Sequence, residues 1–185
     1  MFLLLAFLFS GYATFAEASF YEAIPEESSI TFEYFFGKQA FRGKVKNFNV
    51  KADVDFKRVR NSNISASLET TTMTAGFLFA TEALRSPRVL DVKNFPEIQF
   101  EATKITGTIP NVEILGNATI KGTTKPIKLN ATWLRPAGTE PDELETLVLN
   151  IVGTLDRFEF GVNGYRKEVA ALLKFNMRIV IRRVQ

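Results

Sequence analysis

Neither cysteine nor histidine occurs anywhere in these 185 residues. Without cysteine the chain has no disulfide and no thiolate nucleophile, and without histidine it has no imidazole base. Together the two absences remove most zinc, copper and haem ligand sets. We therefore expect no metal and no cofactor. The lack of cysteine does not fix the compartment, because a secreted protein with a large core needs no disulfides.

An excess of charge of either sign is also lacking. The chain carries 23 lysine and arginine residues against 20 aspartate and glutamate residues, a formal net charge of +3. No basic stripe interleaved with aromatic residues appears, so the sequence does not predict nucleic-acid binding. Phenylalanine is the abundant residue. Its 18 copies predict an aromatic-rich core or cavity, within a single domain.

The N-terminal segment has the features of a secretory signal peptide. Residues 2–9, FLLLAFLF, form an apolar run too short to span a bilayer, and Ala16-Glu17-Ala18 resembles a cleavage site. We interpret residues 1–18 as the signal peptide and residues 19–185 as the mature domain, whose net charge is then +4 because only Glu17 is lost. The segment before the run has no lysine or arginine, so an uncleaved anchor or a truncated start stays an alternative.

Most of the remaining sequence alternates apolar and polar residues with the period of a half-buried strand. Ile30, Phe32 and Tyr34 share one parity in the first such segment, and the last segment, from Leu173 to Ile181, is the most regular. The other apolar parities run through Phe48 to Phe56, Ile64 to Leu68, Ile98 to Ala102, Val112 to Ile120, Ile127 to Trp133, and Leu147 to Ile151. Ala75 to Leu84 has helical spacing and predicts one short helix.

Turn signals separate these segments. Lys121 to Lys125 predicts the turn of a hairpin, and Asn163-Gly164 predicts a tight turn before the last strand. About eight short strands of this kind predict an all-β protein, an eight-stranded antiparallel β-barrel with a short helical insertion. The interior of such a barrel is either filled by side chains or wide enough for one elongated ligand. Alternation alone leaves both outcomes open.

The segment Leu84 to Phe100, LRSPRVLDVKNFPEIQF, is the most distinctive. Pro87 and Pro96 mark element boundaries, because proline disfavours a helical residue before it and cannot donate to a strand ladder. We interpret this segment as the crossing from the inserted helix back into the barrel wall.

Four ordered motifs resemble those of a known family. They are SSITF at Ser28 to Phe32, the block from Ala80 to Ile105, GNATIKGTTKPIKLN from Gly116 to Asn130, and FEFGVN from Phe158 to Asn163. In these motifs the chain resembles the YceI-like, polyisoprenoid-binding lipocalin-like proteins. It departs from the commoner pattern in having Glu27 and Ala83 where histidine is expected, which affects head-group contacts more than the barrel.

The resemblance implies an extended, lipocalin-like barrel, periplasmic or secreted, whose hydrophobic tunnel holds an isoprenoid lipid such as a polyprenyl phosphate or a quinone-like molecule. It implies binding, storage or transport without catalysis, and no catalytic residues come with it. We also expect transient contact with a membrane, and leave a homodimer open.

Candidate ligand-binding residues are the inward-facing apolar residues together with one cation. Phe77 and Leu84 belong to the predicted helix, and Arg85 is the preferred head-group donor because it lies in the distinctive segment. The full set is Phe32, Tyr34, Phe48, Val50, Leu68, Phe77, Leu84, Arg85, Phe100, Trp133, Phe175 and Met177. Other cations that could meet a head group are Arg42, Lys44, Arg88, Lys121, Lys125, Arg166 and Lys167.

Two alternative functions stay open at this point. The first is a lipid-modifying enzyme that uses carboxylates such as Asp91, Asp156 or Glu159, although no spacing in the chain singles out a catalytic group. The second is a stress-related protein-interaction module with a filled barrel. Carboxylates that converge inside a pocket would favour the first, and a filled interior beside an exposed apolar patch would favour the second.

Overall fold

A computed structural model of the chain describes residues 19–136, 138–140 and 143–184. The proposed signal peptide, residues 1–18, lies outside this range. The described chain forms ten strands and one α-helix. They are β1 (Ser19–Ala23), β2 (Ser29–Phe36), β3 (Gln39–Val45), β4 (Phe48–Val54), β5 (Asn63–Glu69), α1 (Leu78–Arg85), β6 (Glu97–Thr108), β7 (Asn111–Ile120), β8 (Thr123–Leu134), β9 (Thr146–Asp156) and β10 (Leu172–Arg183).

Eight of the strands close into an antiparallel ring, which confirms the predicted barrel. The order is β1-β4-β5-β6-β7-β8-β9-β10, and β1 pairs again with β10. The last strand makes this closure. It pairs with β9 along one edge, and with β2 and then β1 along the other.

The barrel wall divides where two strands are interrupted. A short 3-10 turn, Pro25–Glu27, separates β1 from β2, and there the Val180 N–H donates to Ser28 Oγ at 2.9 Å. Lys46 and Asn47 separate β4, which stays in the ring, from β3, which pairs along its length only with β2. Beyond this division, residues 70–96, here called the cover segment, continue the enclosure. Lys44 and Thr74 exchange two backbone hydrogen bonds of 2.9 Å there.

The topology places the connections at two ends. Residues 37–38, the cover segment, residues 121–122 and residues 157–171 lie at one end, which we call the helix end. Residues 55–62, 109–110, 135–136, 138–140 and 143–145 lie at the other, which we call the base. Side chains on the inward parity of the strands form the core between the two ends.

The predictions of individual turns and strands were partly right. The 112–133 hairpin is confirmed, but its turn is only two residues long, Lys121-Gly122, with φ of 49° and 74°. Positive φ at both central residues is typical of a type I′ turn, whose twist matches that of the two strands. The predicted tight turn at Asn163-Gly164 is wrong, because those residues belong to a fifteen-residue connection, 157–171, that follows β9. The predicted strands also omitted β1 and β3.

Candidate ligand cavity

An apolar cavity of about 530 Å³ occupies the barrel and opens at the helix end. This volume is within the range of about 300–1,000 Å³ typical of ligand sites, so the interior is not filled. Along β10, Ile179 and Ile181 are buried, whereas Leu173, Phe175 and Met177 are only half-buried. All five of these residues line the cavity, so the lumen follows β10 and becomes more open toward the helix end.

The base is closed by packed aromatic side chains. Tyr21 meets Phe56 edge-on at a centroid distance of 6.1 Å, and Phe56 meets Trp133 edge-on at 6.2 Å. The Tyr21 hydroxyl donates to the Leu144 carbonyl at 2.7 Å. This hydrogen bond joins the closed base to the loop outside it.

A row of four aromatic rings links the lumen to the cover segment. Phe32, Tyr34, Phe41 and Phe77 follow one another at centroid distances of 6.2, 5.7 and 5.4 Å. The buried Tyr34 hydroxyl donates to the Ala75 carbonyl at 2.8 Å. Burial raises the pKa of Tyr34, because it disfavours the phenolate. The cover segment is thus held to the wall by both packing and a hydrogen bond.

Further bonds fix the start of α1. The Ala75 N–H donates to Thr81 Oγ1 at 3.0 Å, and Thr81 Oγ1 in turn donates to the Phe77 carbonyl at 2.9 Å. The Arg85 Nε donates to the Met73 carbonyl at 3.1 Å. These bonds orient the helix so that Phe77, Phe79, Ala80, Ala83 and Leu84 line the cavity.

Arg157 is the one charged side chain that lines the cavity within the described chain. It is 4% exposed, and burial followed by the positive charge of Arg166 lowers its pKa. Its Nε donates to Ala170 at 3.0 Å, and its Nη1 donates to Val162 at 2.6 Å and Gly164 at 2.8 Å. Its Nη2 donates to Val169 at 2.8 Å and Tyr165 at 3.5 Å.

All five Arg157 N–H groups are therefore used on carbonyls of residues 157–171, here called the arginine loop. A guanidinium has five donors, so none is left for a ligand. The Arg157 side chain stabilises the loop, and it offers no free N–H donor to the lumen. The arrangement favours an apolar chain inside and a polar head group outside.

Glycines make room for bulky side chains on the wall. A Cβ at Gly43 would overlap the Phe32 ring and lie 2.5 Å from the Thr74 carbonyl. A Cβ at Gly116 would likewise overlap the Phe100 ring. Because these glycines have no side chain, the two rings lie against the wall instead of projecting further into the lumen.

The opening of the cavity has an aromatic rim. Phe36, Phe77 and Phe79 all line the cavity, yet they are 51%, 47% and 81% exposed. Leu78, which does not line it, is 70% exposed. The apolar surface of the lumen therefore continues to the outside of the molecule at the helix end.

Nine of the twelve candidate site residues line this cavity: Phe32, Tyr34, Val50, Leu68, Phe77, Leu84, Phe100, Phe175 and Met177. Phe48, Arg85 and Trp133 do not. Phe48 is buried beside the division of the wall, Trp133 belongs to the base, and Arg85 bonds to Met73. That any of these residues binds a ligand stays a prediction.

The sequence reasoning missed the contribution of the arginine loop. Arg157, Phe160, Val162, Tyr165 and Val169 all line the cavity. The FEFGVN motif at 158–163 overlaps them, so it was the available signal, but its apolar residues were not assigned to the site.

The other candidate cations lie in two kinds of place: the helix-end connections carry Arg88, Lys121, Arg166 and Lys167, whereas Arg42 and Lys44 lie on β3 and Lys125 on β8. The Arg88 guanidinium is 4.9 Å from the Tyr165 ring centroid, and that of Arg166 is 4.1 Å from the Phe158 ring centroid. Lys121 Nζ donates to the Pro87 carbonyl at 2.9 Å. None of the seven lines the cavity in the described chain.

The carboxylates named for an enzyme do not converge in the cavity. Asp91, Asp156 and Glu159 are absent from its lining in the described chain. Asp156 Oδ1 accepts from the Phe158 N–H at 2.8 Å, and Asp91 Oδ2 accepts from Asn94 Nδ2 at 2.9 Å. Within residues 19–136, 138–140 and 143–184, no three acidic residues form a group that could hold a metal ion.

The sequence-family model of the YceI-like domain matches residues 21–182 of this chain. The chain belongs to the YceI-like family. A UPF0312 protein of Pseudomonas putida (strain W619) is 29% identical to this YceI-like chain over 129 residues, which are 69% of the chain and 67% of the relative.

Solved structures share the YceI-like fold. Burkholderia cenocepacia BcnA aligns with a TM-score of 0.76 at 15% identity, covering 85% of this chain and 98% of BcnA. A polyisoprenoid binding domain from Saccharophagus degradans, implicated in plant cell wall breakdown, aligns with a TM-score of 0.69 at 6% identity, covering 89% and 98%. Across the part of this chain that the structure describes, no helix has the length and apolar character needed to cross a membrane.

Proposed function

We propose that this YceI-like protein binds and carries an isoprenoid or another long amphiphilic lipid in its barrel cavity, without catalysing a reaction. The observation that carries the proposal is an apolar lumen whose one charged lining residue in the described chain, Arg157, uses all of its donors on backbone carbonyls. The name of the Saccharophagus degradans domain, polyisoprenoid binding, supports the same ligand class.

The energetics suit reversible carriage. Burial of a prenyl chain from water is favourable by about 0.8 kcal/mol per methylene-sized group, so a five-carbon unit contributes about 4 kcal/mol. A chain that is already in a bilayer gains little by moving into the cavity. Exchange with a membrane is then close to balanced and needs no energy source, and the head group decides the direction.

We further propose that the protein acts in the periplasm or after secretion, once residues 1–18 are removed. The apolar run at residues 2–9 and the Ala16-Glu17-Ala18 sequence support this. Fractionation of the producing cell followed by N-terminal sequencing tests it. A mature protein that begins at Ser19 outside the cytoplasm is expected, and an intact N-terminus in the cytoplasm would contradict the proposal.

Lipid carriage is tested by mass spectrometry of the natively produced protein, followed by delipidation and uptake of geranylgeraniol. We expect a co-purifying lipid and uptake of the probe. Ala66→Phe places a ring in the lumen and should weaken uptake by about tenfold or more, because overpacking costs about 1–3 kcal/mol. Ser65→Phe is the matched control, since Ser65 is the outward neighbour on β5 and does not line the cavity.

Two results would contradict carriage. One is the absence of any lipid in the native protein together with no uptake of geranylgeraniol. The other is equal loss of uptake in Ala66→Phe and Ser65→Phe, since only the first change fills the lumen.

A further inference from the structure

The helix end combines an apolar rim with a basic surround. Phe36, Phe77, Leu78 and Phe79 are each about half exposed or more. Three of the four also line the cavity. An apolar path therefore runs without interruption from the outer surface into the lumen.

The charge around this rim differs from that at the base. The helix-end connections (37–38, 70–96, 121–122 and 157–171) contain eight basic and four acidic residues. The described connections at the base (55–62, 109–110, 135–136, 138–140 and 143–145) contain four basic and four acidic residues. Only the helix end therefore has an excess of positive charge.

Part of that positive charge lies directly beside the exposed aromatics. Phe36 forms a bridge with Val169, and the Gly37 N–H donates to the Glu168 carbonyl at 2.8 Å. These bonds hold the turn that carries Lys38 against the part of the arginine loop that carries Arg166 and Lys167. All three cations are exposed.

Exposed aromatic and aliphatic side chains beside exposed cations match the chemistry of an anionic lipid surface. The rings enter the boundary between head groups and acyl chains, while lysine and arginine meet the anionic head groups. An isolated apolar patch would fit a protein partner equally well. Continuity with a lumen lined by apolar residues, together with the charge excess, favours lipid.

We propose that the helix end docks on anionic membranes, with Phe36, Phe77, Leu78 and Phe79 inserted and Lys38, Arg166 and Lys167 on the head groups. The docking rests on the proposed lipid carriage, to which it gives a route. A prenyl chain then passes between bilayer and lumen without crossing water, which removes the largest barrier to its exchange.

Because the chain has no cysteine, one introduced cysteine can carry a bimane fluorophore at a single place. Leu78→Cys reports on the rim and Leu134→Cys, at the base and 42% exposed, is the control. The full chain is mixed with vesicles of phosphatidylglycerol and phosphatidylethanolamine, or of phosphatidylcholine alone. Nitroxide-labelled lipid and aqueous iodide then serve as quenchers.

With anionic vesicles, we expect the Leu78 label to be quenched by the nitroxide lipid and protected from iodide, and the Leu134 label to show the reverse. Salt and phosphatidylcholine vesicles should both weaken the effect. Equal lipid quenching at both positions would overturn the proposal, because it would place the contact elsewhere. Protection of the Leu78 label without vesicles, with doubled mass in light scattering, would also overturn it in favour of a second copy.

A second variant tests the consequence for lipid exchange. Leu78→Glu places a charge on the rim without changing a cavity-lining residue, and should reduce both vesicle binding and the rate of geranylgeraniol transfer between vesicles by about tenfold or more. Leu134→Glu should change neither. Uptake of geranylgeraniol from solution should be normal in both variants.

The two proposals fail separately. Uptake of geranylgeraniol from solution with a Leu78 label that stays open to iodide would overturn the docking and leave carriage intact. A lipid-quenched Leu78 label on a protein that takes up no geranylgeraniol would overturn carriage and leave the docking intact.

Discussion

The two ends of the barrel use the same kind of hydrogen bond in different structural roles. Each has a buried tyrosine whose hydroxyl donates to a loop carbonyl, Tyr21 to Leu144 at the base and Tyr34 to Ala75 at the helix end. At the base the surrounding rings meet across the barrel and close it. At the helix end the rings form a row along the wall and leave the lumen open. The same residue type and the same bond therefore serve closure at one end and attachment of a cover at the other.

The largest expected effect comes from removing the buried arginine at the helix end. Arg157→Met should lower the free energy of unfolding by at least about 3 kcal/mol, because several buried carbonyls lose their donors and each such loss costs about 1–3 kcal/mol. Urea unfolding measures the change. Arg183→Met is the matched control at the base, where Arg183 Nη2 donates to Ser19 Oγ at 3.0 Å, and should cost less than about 1.5 kcal/mol. Equal losses would remove the distinction between the ends.

A smaller effect is expected where a glycine lies against a ring. Gly43→Ala should cost about 1–3 kcal/mol in stability and weaken geranylgeraniol binding, because the new methyl group displaces Phe32 from the wall into the lumen. The measurements are urea unfolding and a binding titration. Gly138→Ala, in the loop at the base with no atom within 4 Å of the new Cβ, should leave binding unchanged. Unaltered binding in Gly43→Ala would show that Phe32 does not shape the lumen.

The smallest effect compares the two tyrosines directly. Tyr21→Phe and Tyr34→Phe should each cost about 0.5–1.5 kcal/mol, the contribution of one hydrogen bond. Only Tyr34→Phe should also speed the release of bound geranylgeraniol, because it removes one of the hydrogen bonds that hold the cover segment to the wall. Stopped-flow transfer to acceptor vesicles measures the release. Faster release from Tyr21→Phe as well would mean that the lipid leaves through the base or that the ends are coupled.

Alkaline titration provides an independent check on this pair. Burial raises the pKa of both hydroxyls, although Arg183 opposes the shift at Tyr21. The unfolded chain therefore loses these protons first, so stability is complete below about pH 10 and declines as the pH rises toward the raised pKa. Each Tyr→Phe variant should therefore show a smaller loss of stability at alkaline pH. An unchanged alkaline profile would mean that burial of the hydroxyls has no energetic consequence.

Strand parity predicted well which side chains face the barrel interior. It predicted poorly where along the barrel axis each of them lies. Phe48 and Trp133 share inward parity with Phe100 and Met177, but the first pair packs outside the lumen and the second pair lines it. Alternation specifies the face of a strand. Position along the axis depends on the register around the whole ring, which one segment does not contain.

β3 and the buried position of Arg157 were not predicted from the sequence, each for a specific reason. β3 was missed because Gly43 interrupts its apolar parity, and that glycine exists for a contact with Phe32 on the neighbouring strand. Arg157 was missed because a charged residue usually indicates a surface position. Its burial depends on carbonyls up to 13 residues away that face it only in the folded loop.

The position of β10 also limits when this protein can fold. It is the last strand of the described chain, and it pairs with β1, β2 and β9. A nascent or translocating chain that still lacks residues 172–183 therefore has three unpaired strand edges and an unclosed interior, and such edges invite pairing with other chains. Closure of the barrel is consequently tied to completion of β10, and until then the chain depends on being kept apart from its copies.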